Sequence, residues 1–230
     1  MPIIQKGAFV NGSIDFSKKD FNELVRQEKP TFLLTLTEKE EVTDKLNEYF
    51  EIGITKGIDK RYKCSLRKKW YSVPNISIPP EGFFFKRSHL YPKLIKNSAN
   101  VHATDAAYKV SMKDGYKIEE LICSFYNYVS LIFAELYGRR YGGGVLELTP
   151  NEFREIPIAY NNINQSDYHA FRNKFEKKTS IEKILTANQE ILAKYIDNTD
   201  FSMLKRIYKK LINDRLLQGC NKKLSKNKMP

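Results

Sequence analysis

The sequence has no uninterrupted apolar run of about eighteen residues, the length a membrane-spanning helix needs. Its opening, MPIIQKGAFVNG, holds no apolar core of signal-peptide length. Cysteine is scarce: Cys64, Cys123 and Cys220 are odd in number, far apart, and never form a CxxC pair. Neither a zinc ribbon nor a disulfide framework is indicated, and reduced thiols in a cytoplasm are the expectation. His89, His102 and His169 show no ligand spacing with acids or cysteines, so no metal site is expected. GxSxG and P-loop motifs are absent. Glu176-Lys177-Lys178 fits a minimal Glu-x-Lys nuclease pattern, but no acidic partner precedes it. A metal-assisted site needs several convergent carboxylates, so this tripeptide reads as a solvated helix face. Acidic residues are the last deficit: 27 stand against 39 lysines and arginines, a net charge of +12. That excess suits a polyanionic partner, nucleic acid before membrane; a plain basic surface is the alternative.

What is present suffices for a core. The chain has 230 residues, 41% hydrophobic and 13% aromatic, room for one large domain, alone or with a helical appendage. TFLLTL (31–36) reads as a short strand and Glu38 to Phe50 as a polar helix. EGFFFK (81–86), PKLIKN (92–97) and VHATDAAYKVSM (101–112) read as strands separated by turn residues. Apolar residues from Ile118 to Leu136 keep a helical period, with Gly138 where a left-handed helix stop is expected. GVLEL (144–148) is a strand, and Thr149, Pro150 and Glu152 signal a short helix ending near Pro157. Beyond Tyr160 lie polar, lysine-rich helices. One is spaced by Tyr168, Phe171 and Phe175, one follows a Thr179/Glu182 capping box and includes Ile191 and Leu192, and one runs through Leu204 to Ile212. The expected class is α+β: a mixed, mainly antiparallel sheet with packed helices, followed by a C-terminal helical extension. The expected division is a lead-in (1–55), a core (56–160), a helical extension (161–218) and a basic, disordered tail (219–230).

Two segments carry candidate chemistry. RKKWYSVP (67–74) interleaves Arg67, Lys68 and Lys69 with the single tryptophan, Trp70, and Tyr71. Such a mix can hold phosphates while aromatics stack on bases; the alternative is a basic turn with its aromatics folded into the core. In GRRYGGGVLEL (138–148), Arg139, Arg140 and Tyr141 close a helix ahead of Gly142, Gly143 and Gly144. A dinucleotide fingerprint has GxGxxG spacing and opens a helix, whereas this triplet leads into a strand. It permits either close approach of the backbone to a partner or a tight helix-to-strand connection. Lys86, Arg87, Ser88, His89, Asn97, His102 and Thr104 add polar groups in strand and turn context. Such groups can donate to phosphates or base edges, or simply line a polar strand face.

Taken in order, the runs RYKCSLRKKWYSVP, EGFFFKRSHLYPKLIKNSANVHATDAAYKV and SFYNYVSLIFAELYGRRYGGGVLELTPNEFREIPI resemble the C-terminal half of adenine-specific DNA methyltransferases of restriction–modification systems. The class is the one with its catalytic domain first and its target recognition domain second. The resemblance covers residues from about 60 to 158. The family's catalytic Asn/Asp/Ser-Pro-Pro-Tyr/Phe is absent: Pro79-Pro80 lies between Ile78 and Glu81. The glycine-rich S-adenosylmethionine motif is missing as well. The resemblance therefore implies a recognition portion, inactive alone, either truncated or one piece of a split enzyme. Its partners would be double-stranded DNA and a catalytic domain, in cis or trans, that holds the S-adenosylmethionine and the flipped adenine. It assigns Arg67, Lys68, Lys69, Lys86, Arg87, Arg139 and Arg140 to phosphates. Trp70, Tyr71, His89, His102 and Thr104 fall to shape or base contacts, Tyr141 joins the DNA-binding set, and Gly142–Gly144 let the main chain come close to DNA or seat the recognition domain against the catalytic one. The alternatives are a nucleic-acid-binding interaction module or a small nuclease of a restriction system.

Overall fold

A computed structural model describes residues 1–10, 12–36, 41–73, 78–189, 193 and 200–226. The sequence-based expectations for Glu38, Pro74, Ile191 and Leu192 lie outside these residues. The class is mixed α+β, with antiparallel sheets and packed helices.

At the centre stands β2 (Gly82–Phe85), paired antiparallel to β4 (Leu94–Lys96) on one side and β6 (Ala107–Val110) on the other. Every residue of β2 is buried, the expected result for an apolar run covered on both faces. Strand alternation divides its phenylalanines between two cores. Phe84 and Leu94 face a cluster built from helices. Phe83, Phe85 and Ile95 face the N-terminal residues, among them Ile4, Val10, Phe16 and Leu24. On that second side, β1 (Ile3–Ile4) pairs in parallel with β5 (His102–Ala103), and α1 (Lys18–Arg26) starts at a Ser17/Asp20 capping box.

The predicted strand at 101–112 is thus two strands, broken at Thr104–Ala106, where the Thr104 hydroxyl accepts the amide of Ala106. At 31–36 the structure forms only an isolated bridge at Phe32. The polar helix falls later than its spacing suggested: α2 is Asp44–Thr55, capped by Thr43. The short α3 (Tyr62–Ser65) follows.

The predicted continuous helix at 118–136 is broken as well. α4 (Ile118–Phe125) and α5 (Tyr128–Tyr137) meet at Tyr126-Asn127. Asn127 is fully buried and caps α5: its carbonyl oxygen accepts the amide of Ser130 at 2.9 Å. Its amide nitrogen donates to the Ser124 carbonyl and the Ser130 hydroxyl. The Tyr126 hydroxyl bonds both main-chain groups of Leu94, fixing the break to the sheet. The apolar period read across 118–136 does not describe burial past this break: in α5 Tyr128, Leu131, Ile132 and Ala134 are buried, whereas Val129 and Phe133 are half-buried and Leu136 is exposed.

A third sheet runs in the order β3 (Arg87–Ser88), β8 (Val145–Glu147), β7 (Arg139–Tyr141), all antiparallel. α6 (Pro150–Arg154) carries the Thr149/Glu152 capping box read from the sequence. In α7 (Gln165–Glu176), Tyr168, Phe171 and Phe175 are buried as spaced. α8 (Ile181–Ala187) is capped from Ser180, without the side-chain bond expected of Thr179. α9 (Phe201–Lys226) continues through backbone for which composition suggested disorder. Phe171, Ile184, Leu185 and Tyr208, all C-terminal to Tyr160, belong to the same cluster as Phe84 and Leu94.

Asn127→Ala removes a buried cap and three hydrogen bonds. It should cost about 1–3 kcal/mol, read as a lower denaturation midpoint with an unchanged denaturant slope.

Candidate nucleic-acid interface

The sheet β3–β8–β7 gathers seven of the sequence-selected residues: Arg87, Arg139, Arg140, Tyr141 and Gly142–Gly144. Its register decides what they can do. Arg87, Glu147 and Arg139 form one row across the three strands, and Ser88, Leu146 and Arg140 the next. Because side chains alternate, Arg139 and Arg140 project from opposite faces. They do not form one anchor. Arg139 and Tyr141 are strand residues here; the expectation that they end a helix is corrected. The helix stops at Tyr137, and Gly138 has an extended backbone (φ −71°, ψ 151°), not a left-handed one. A Cβ at Gly138 would meet Leu146 and the Ala134 carbonyl within 2.7 Å, so close packing selects this glycine.

The triplet is the turn of a β-hairpin. Gly143 and Gly144 have φ of 80° and 74°, in the left-handed region that costs other residues energy. Gly142 and Gly143 project into open space, whereas a Cβ on Gly144 would lie 3.0 Å from Leu216. The tip is therefore free and its base is packed. The turn joins two strands and opens no helix.

The cations differ in availability. Arg87 is ion-paired to Glu147 and also lies over the Tyr141 ring, 5.8 Å from its centroid. Arg139 pairs with Glu152 at 2.9 Å. Hydrogen bonding to these carboxylates raises both guanidinium pKa values. Hydrogen bonds from Thr149, then from Arg139, hold the Glu152 carboxyl below its usual range. Arg140 is exposed and has no such partner among the described residues. A phosphate would meet Arg140 directly but must compete with Glu147 and Glu152 for the others.

Lys86 joins the central and third sheets through its backbone, donating to Ala106 and accepting from Leu148. Its ammonium lies over the Tyr108 ring. A cleft of about 400 Å³ between Lys86, Arg87, Asp105 and Glu147 brings the Thr104–Ala106 turn beside the arginine face. Thr104 itself donates to the Gln5 carbonyl at 3.4 Å. His102, on β5, has a buried Nδ1 without a partner among the described residues, and burial lowers its pKa. His89 is exposed just after β3, and its carbonyl accepts from Arg215 at 2.6 Å.

The second basic segment lies around a different groove. Tyr71 stacks on Phe50 with ring centroids 3.9 Å apart, and Trp70 meets both rings edge-on. These rings, with Leu33, Ile52, Gly53 and Arg67, line a groove of about 470 Å³. Lys68 and Lys69 are exposed. Trp70 and Tyr71 are half-buried and bind this lobe together, a use the sequence left open beside base stacking. Asn97 likewise acts locally: its buried amide closes the 97–101 turn onto Val101 and Pro80.

The described residues contain no cluster of three or more His, Cys, Asp and Glu suited to a metal. Burial pushes the Cys123 thiol up to about 12, which removes it as a nucleophile. No described helix is long and apolar enough to cross a membrane. Arg215 was the residue that sequence reading missed. It sits on the lysine-rich helix spaced by Leu204 to Ile212, and only its contacts reveal it as buried.

The described residues thus present an exposed arginine hairpin on a sheet-and-helix domain. Residues 1–193 match the family model described as the C-terminal domain of the type II methyltransferase M.Eco57I, and the chain belongs to that family. It is thus a C-terminal domain of a restriction–modification methyltransferase. The type II methyltransferase M.AccI of Acinetobacter calcoaceticus is 28% identical over 153 residues, covering 61% of this chain and 26% of that protein. The chain therefore spans about a quarter of the length of that relative. No solved structure matches.

Gly53→Ala should disturb the aromatic lobe. The added Cβ would lie 2.4 Å from Trp70. An overpacking cost of about 1–3 kcal/mol should exceed the helix-propensity gain of about 1 kcal/mol. Trp70 is the only tryptophan, so a red-shifted fluorescence maximum with lowered stability is the expected readout.

Proposed function

We propose that this chain is the target recognition portion of a site-specific adenine DNA methyltransferase. It grips duplex DNA and supplies sequence specificity to a separate catalytic domain, in cis or trans. The observation that carries this reading is the β7–β8 hairpin, a free glycine tip beside an unpaired, exposed Arg140, inside the family-matched region. Two-stranded β-ribbons fit the major groove, and backbone and guanidinium donors suit phosphates and guanine edges.

The division of labour follows from what each part offers. Arg140 engages a phosphate without losing a partner. Arg87 and Arg139, held by Glu147 and Glu152 on the opposite face of the same sheet, supply orientation and exchange partners at the interface. Lys86, His89 and the Thr104 turn flank that face. Lys68 and Lys69 add a second phosphate-binding segment on the aromatic lobe. S-adenosylmethionine and the flipped adenine belong to the catalytic domain, whose motifs this sequence lacks. Adenine as the target base rests on the ordered sequence resemblance.

Duplex binding measured across a salt series tests the reading. Contacts to about five phosphates give a log–log slope near −4 to −5. Arg140→Ala should reduce that slope by about one and weaken binding alike on different sequences if it contacts phosphate. Altered site preference would make Arg140 a base reader. Preference for structured RNA, or methyl incorporation by the isolated chain given S-adenosylmethionine and DNA, would overturn the proposal.

A further inference from the structure

The glycine hairpin is held from beneath by a residue outside the family match. Matching ends at residue 193, and Arg215 lies on α9 beyond it. Its side chain is fully buried, as is that of Glu135 on α5. The guanidinium makes a two-pronged pair with the carboxylate, Nε to Oε2 at 2.9 Å and Nη2 to Oε1 at 2.8 Å. The remaining Nη1 donates to two main-chain carbonyls, His89 at 2.6 Å and Gly144. Leu216 closes on the same glycine from the side. One side chain thus joins α5, the turn after β3 and the base of the β7–β8 hairpin.

We infer that Arg215 is a positioning residue for the recognition hairpin, and that α9 is a working part of the interface. The inference rests on the duplex-binding reading above. A buried guanidinium releases no counterion on binding, so it can act only through the loops it holds. Both carbonyls belong to the candidate interface: His89 at the end of β3, and Gly144 one residue from the free tip. Neither Glu135 nor packing alone supplies donors to them. An apolar pair in place of Glu135 and Arg215 fills the space and removes both charges, yet leaves those carbonyls unheld. Stability and hairpin order are thereby separable.

The test compares the full chain with Glu135→Leu/Arg215→Leu and with Arg215→Lys. Lysine keeps the charge opposite Glu135, but its single ammonium cannot replace the forked grip. Three readouts are needed: thermal unfolding, amide hydrogen exchange of residues 139–146, and duplex affinity across salt. In each variant that folds, hairpin exchange should quicken by about tenfold or more. Affinity should fall by about five- to twentyfold with the salt slope unchanged. A folded variant with wild-type hairpin protection and wild-type affinity overturns the inference. If the wild-type chain itself fails to bind duplex, the reading of the interface falls instead, and hairpin exchange still decides whether Arg215 anchors it.

Discussion

The buried pair of Glu135 and Arg215 is the constraint on which the arginine hairpin, the candidate interface, depends. Neither side chain is more than 1% exposed, and a lone charge there would be untenable. Removing one partner of such a pair commonly costs about 3–5 kcal/mol. The pair is tolerable because nearly every donor is used: Glu135 takes three hydrogen bonds, and the carbonyls of His89, Leu90 and Gly144 take the rest. Those carbonyls are in the loops that carry the free glycine tip and His89. The interior of the domain and the geometry of its exposed hairpin are therefore set together.

From that anchor the sheet acquires its division of charge. Strand alternation puts Arg139 in one row with Glu147 and Arg87, and puts Arg140 in the other. Exposed ion pairs of this kind contribute little to stability, so their value lies in aiming the arginines. A polyanion can replace Glu147 or Glu152 at modest cost. Arg140 offers a cation that needs no such exchange. Within this sheet the basic residues thus divide into an exposed Arg140 without an ion-pair partner among the described residues and two arginines held by carboxylates.

Much of the fold was legible from local pattern. The all-buried β2 followed from its apolar run, α6 from Thr149-Pro150-x-Glu152, and α7 from the spacing of Tyr168, Phe171 and Phe175. What failed did so for physical reasons. The break at Tyr126-Asn127 is invisible to periodicity because apolar residues keep their spacing through it while the buried face of α5 shifts to Tyr128, Leu131 and Ala134; the break is made by the asparagine's capping bonds and by the Tyr126 hydroxyl on Leu94. Gly138 does stop the helix, but in an extended conformation and packed under Leu146, not as the left-handed stop expected. The hairpin was hidden because Arg139, Arg140 and Tyr141 suit a helix end as well as a short edge strand. Arg215 carried no local signal at all, since its burial depends on partners about 70 or more residues away. The candidate site was legible as a set of basic and glycine positions, but which of them share a surface was not.

The most direct measurement is amide hydrogen exchange of the full chain with and without a duplex containing its target site. Protection concentrated in residues 139–147, with smaller changes around 86–89 and 104–106, is the required result. Protection confined to the aromatic lobe at 44–73, or none at the hairpin under conditions where DNA is bound, would contradict the assignment of the arginine hairpin to DNA.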